Sequence, residues 1–101
     1  MPKITVQKSV SADPQEAFQK LKTFLASDPD LKRMDSSYQC QFQDDKLTGS
    51  AKGNKFQAQM AVKPEGASTH VEVVIEIPLM MAPFKGIVET TIQNKLNKIL
   101  G

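Results

Sequence analysis

Tryptophan is absent from this chain of 101 residues, and His70, Cys40, Arg33 and Tyr38 each stand alone in their type. A lone cysteine forms no internal disulfide, which excludes a stapled secreted scaffold. One Cys and one His do not build a tetrahedral zinc site unaided. No charge sign dominates: Lys and Arg total 13 and Asp and Glu 11, a net charge of +2. Residues 1–50 carry seven cations and seven anions, and the remainder six and four. Neither half is a basic arm or an acidic tail, so no nucleic-acid partner is expected. The longest uncharged apolar run, residues 77–84, contains two prolines and falls far short of the ~20 residues that span a bilayer. The first ten residues hold no apolar core of a secretory signal, so a cytoplasmic location is expected. No metal, cofactor or catalytic group is implied by these counts.

What is present is an ordinary globular composition, 40% hydrophobic and 24% charged, of a length that builds one domain over residues 1–101. Ile4, Val6 and Val10 share one parity and predict a half-buried strand. Asp13-Pro14-Gln15-Glu16 then opens a helix: Asp13 caps, Pro14 suits the first position, and Glu16 sits where a capping box places its carboxylate. Ala17, Phe18, Leu21, Phe24 and Leu25 form its apolar stripe. Pro29 disfavours helix at Asp28, so the helix ends near Ser27, with a further turn through Leu31 and Met34.

From Tyr38 to Ile77 the period becomes two, which predicts a four-stranded meander. Two-residue loops at Asp44-Asp45 and Gly53-Asn54 and a four-residue loop over 64–67 keep all the apolar sets on one face. In that register Cys40, Gly49, Ala58 and Val73 form one row of small or medium residues, a trough for a closely packed helix or for a ligand. Phe84, Ile87, Val88, Thr91, Ile92, Leu96, Ile99 and Leu100 predict a long C-terminal helix, with Lys95 and Lys98 favoured at its end by the helix dipole. The fold class is α+β: an antiparallel sheet of about five strands in the order β-α-β-β-β-β-α. The first strand lies beside the last, and both helices pack on one face.

Ile4-x-Val6, Ala17, Asp45-x-Leu47, the alternating strand to Ile77 and the tail Phe84-Lys85-Gly86-Ile87-Val88-Glu89 with Ile92, Leu96 and Leu100 carry a family likeness. In these positions the chain resembles the polyhydroxyalkanoic acid system family of small bacterial proteins. It departs at Phe42, where many members are expected to have Trp. The resemblance implies a cytoplasmic protein tied to storage-polyester metabolism or granules, and it supplies no catalytic residues. The fold it implies is a reduced relative of the helix-grip, START-like lipid-binding proteins, which hold apolar ligands between a curved sheet and a long C-terminal helix.

The individual chemical groups mostly take structural roles. Cys40 has inward parity and reads as a small hydrophobe. His70 has the opposite parity and reads as a surface residue, with no carboxylate fixed beside it. Asp44 and Asp45 suit a turn. The Gly49–Lys55 segment lacks the ending and the helix of a phosphate loop. The segment 78–84 is uncharged, and Leu79, Met80, Met81 and Phe84 form either a cover over one end of the core or an exposed contact loop. The strand over 38–43, with Gln39, Gln41 and Gln43 outward, is an edge open to pairing with a second copy, which would make a homodimer. The leading expectation is a non-enzymatic accessory protein whose partner is the polyester granule or a granule-associated protein. The rival is a carrier of a small apolar ligand in the trough. An enzyme ranks third.

Overall fold

A computed structural model describes residues 2–100. The elements are β1 (Lys3–Val10), α1 (Pro14–Ser27), α2 (Pro29–Met34), β2 (Gln39–Gln43), β3 (Thr48–Lys52), β4 (Gln57–Glu65), β5 (Ser68–Glu76), a 3₁₀ segment (Leu79–Phe84) and α3 (Lys85–Leu100). The five strands form one antiparallel sheet in the order β1-β5-β4-β3-β2. β1 pairs with β5 as expected, and β2 is a free edge. The fold is the expected α+β arrangement.

The helix signals act locally as read. The Asp13 carboxylate accepts from the Gln15 N–H at 3.0 Å, and Pro14 opens α1. Glu16 instead pairs with Lys20 at 3.5 Å, one turn along. Asp28 ends α1 and caps α2, where its carboxylate accepts from the Leu31 N–H at 3.1 Å. Ala17, Phe18, Leu21, Phe24 and Leu25 are all buried against the sheet.

All three hairpin registers differ from expectation by two residues. Phe42 faces Gly49, and Cys40 faces Ala51, because the first loop runs through Leu47. Leu47 takes a positive φ of 54°, and its carbonyl accepts from the Val62 N–H of β4 at 2.9 Å. The second loop extends through Phe56, so Gly49 faces Met60 and Ala51 faces Ala58. Phe56 there is buried and stacks obliquely on Tyr38 at 5.2 Å between ring centroids. The third loop shortens to Gly66-Ala67, with Gly66 at φ 63°, so Met60 faces Val73 and Ala58 faces Ile75. A shift of two preserves parity, so the inner face is the expected one while its rows are not.

The rows across that face are Ile4, Ile75, Ala58, Ala51, Cys40 and Val6, Val73, Met60, Gly49, Phe42. α1 lies over β2 to β5, whereas the close backbone contacts of α3 are with β1, α1 and the 3₁₀ segment. Ile92, Leu96 and Leu100 are the buried residues of α3. The α3 backbone makes no close contact with β5.

Candidate functional site

The proposed trough does not exist as a row. Cys40 and Ala58 share one row, and Gly49 and Val73 the next. The space beside Gly49 is filled: a methyl group there would come within 2.6 Å of Phe42 Cδ1 and 2.8 Å of Met60 Cε. Phe42 in turn meets Phe18 of α1 edge-on at 6.4 Å. The small residues therefore lie beneath α1 and make room for neighbouring side chains, as dense interior packing requires. They do not lie beneath the last helix, contrary to the expected trough.

The chemical groups do not converge. Cys40 is half-buried, with Sγ 3.6 Å from the Leu25 carbonyl, and burial pushes its thiol up. The Tyr38 hydroxyl donates to the same carbonyl at 2.9 Å, and burial raises its titration as well. The shallow cleft that both line also touches Ala26, Lys32 and Ser36 but no carboxylate. A thiol made harder to ionise, with no base beside it, is a poor nucleophile. His70 does have a carboxylate near it, Glu65 at 3.8 Å, which parity alone did not place. Asp44, in the β2–β3 loop, pairs with Lys22 of α1 at 3.2 Å. Among the described residues, no group of three His, Cys, Asp or Glu could hold a metal ion.

The segment 79–84 folds as a 3₁₀ turn, anchored where the Met81 N–H donates to the Pro78 carbonyl at 2.9 Å. Met81 turns inward and is half-buried against the core. Leu79 and Met80 are 77% and 82% exposed, and Phe84 is 53% exposed. Ile87 on the first turn of α3 is 66% exposed. These four side chains are the large exposed hydrophobics of the described residues.

Ile87 also lines a cavity of about 260 Å³ under the N-terminal half of α3. Leu31 and Met34 of α2, Ile75 of β5 and Val88 and Ile92 of α3 complete its apolar wall. The cavity lies where the α3 backbone makes no close contact with β5. At its rim Lys95 Nζ lies 2.7 Å from Asp28 Oδ1 and 2.6 Å from Asp30 Oδ2. Burial works to lower the Lys95 ammonium, but the two carboxylates outweigh it and raise its titration. Hydrogen bonding and charge from Lys95 hold the Asp30 carboxyl below its ordinary value. The clasp joins residues 67 positions apart, and its members read in the sequence as a helix stop and a solvated helix-end cation. Only the Asp28-Pro29-Asp30 cluster hinted at it.

Solved structures similar to this chain share its fold at low identity. XoxI from Bacillus cereus is 13% identical, with a TM-score of 0.74, covering 99% of this chain and 94% of that one. The Aha1 dimer from Colwellia psychrerythraea is 14% identical, with a TM-score of 0.70 and the same coverage of 99% and 94%. The di-domain ARO/CYC BexL from the BE-7585A biosynthetic pathway is 11% identical, with a TM-score of 0.72, covering 99% of this chain and 45% of that one. These are helix-grip, START-like folds. No curated protein matches the sequence. Residues 4–100 match the family described as "Putative polyhydroxyalkanoic acid system protein", and the chain belongs to that family.

Proposed function

We propose that this chain is a non-enzymatic accessory protein of polyhydroxyalkanoate metabolism, acting in the cytoplasm by apolar contact with the storage polyester or a granule-associated protein. The observation that carries this reading is the exposure of Leu79, Met80, Phe84 and Ile87 within one nine-residue stretch, 79–87. Large apolar side chains clustered in water lose the stabilisation that burial would provide, and such patches mark contact surfaces. The family supports the polyester as the apolar partner. Among the described residues the His70–Glu65 pair lies apart from the cleft that Tyr38 and Cys40 line, which supports binding over chemistry. Co-sedimentation with isolated polyester granules tests the reading. The Leu79→Ser/Met80→Ser/Phe84→Ser variant is expected to lose most granule association. Association at the wild-type level overturns it, and so does a wild-type dimer that the same substitutions dissociate, because the patch then joins two copies.

A second reading is favoured by the cavity under α3. It lies where helix-grip lipid-binding proteins hold apolar ligands, and it would make the chain a carrier of a small apolar molecule.

A further inference from the structure

We propose that the cavity beneath α3 selects an aliphatic chain with an uncharged head, an ester or an alcohol, and rejects the free carboxylate. The inference rests on the carrier reading and adds the chemical class of the ligand. The volume of about 260 Å³ sets the size, because it falls just below the ~300–1,000 Å³ of ordinary ligand pockets. A short chain fits it; a sterol-sized body does not.

The rim sets the head group. Lys95 is the only cation among the lining residues, and two carboxylates already hold it. Asp28 is buried and fixed by its second contact, the Leu31 N–H. Arg33 holds Asp30 at 3.3 Å from the solvent side, is largely exposed and does not line the cavity. Lys32 lines the separate cleft beside Cys40. An entering carboxylate would therefore meet Asp28 and Asp30 with no unclaimed cation to pair with, while losing its own hydration. A neutral head faces no such repulsion. The ammonium has three donors and spends two on the aspartates, which leaves one for a carbonyl or hydroxyl oxygen. Ile87 belongs both to the cavity wall and to the exposed apolar cluster, so the mouth opens beside the surface that the first reading places on polyester.

The test is a nuclear magnetic resonance titration of the full chain at neutral pH with methyl octanoate, 1-octanol and octanoate, read at the methyl groups of Ile75, Val88 and Ile92. The two neutral probes are expected to shift these signals and to bind on the order of tenfold more tightly than octanoate. Asp30→Asn, at the exposed rim of the cavity, is expected to narrow that gap by strengthening octanoate more than the neutral probes. Octanoate binding as tightly as its methyl ester overturns the head-group inference and leaves the carrier reading standing. If none of the three probes moves these methyls, both are overturned.

Discussion

Gly49 illustrates how little a residue's type says without its row. It faces Phe42 on one side and Met60 on the other, and both side chains lean into the space that its missing side chain leaves. Gly49→Leu therefore overpacks a filled site and does not plug a ligand trough. It is expected to cost about 1–3 kcal/mol in chemical denaturation, without changing the response of the α3 cavity to octanol. The inward parity of Cys40 was legible from alternation with Gln39 and Gln41. What tertiary structure adds is its setting: Sγ lies 3.6 Å from the Leu25 carbonyl of α1, and burial there pushes the thiol up. The Glu65 carboxylate beside His70 was equally hidden, since a hairpin register had to bring the two together.

At the scale of elements, helices were easier to read than hairpins. Caps and stripes act within a few residues, so Asp13, Pro14 and Asp28 delimit α1 by local chemistry alone. The first two hairpin loops are held by groups outside them, the first by the Val62 N–H donating to the Leu47 carbonyl. The β3–β4 loop is tied to the end of α2, where the Asp35 carboxylate accepts from the Lys55 N–H at 2.7 Å. A side chain on Gly53 would run into that carboxylate. A bond from the Ser37 hydroxyl and the one from the Lys55 amide hold the Asp35 carboxyl below its ordinary value of 3.8. A depressed folded-state value contributes stability that is present above the unfolded value and lost as pH falls through the folded one. Asp35→Asn is thus expected to lower stability at neutral pH and to flatten its decline below about pH 4, as followed by thermal melts across an acid series. A parallel decline in both proteins would count against this account.

For the whole molecule, the division of labour runs along α3. Its C-terminal half is buried through Leu96 and Leu100, and its first turn carries Ile87 in solvent beside the 3₁₀ turn. Stability and contact are therefore separable. The triple substitution of Leu79, Met80 and Phe84 to serine is expected to leave the melting temperature within a few degrees of wild type, because these side chains bury little surface. Leu96→Ala, at a fully buried site, is expected to cost about 2–5 kcal/mol. A collapse of the triple variant would assign the patch to the core instead. Among the described residues, no helix is long and apolar enough to cross a membrane.

The sequence by itself determined the class of fold, the element order, the strand faces and the shortage of catalytic groups. Each of these follows from period, caps and composition, which act over a few neighbouring residues. Tertiary structure alone decided the rows across the sheet, because a slip of two residues leaves every side chain on its face. It also decided where the open space lies. α1 settles onto β2 to β5, while the α3 backbone makes no close contact with β5 and the cavity lies beneath Ile87, Val88 and Ile92. The Lys95 clasp needed the same packing, since only the finished fold brings α3 against the start of α2.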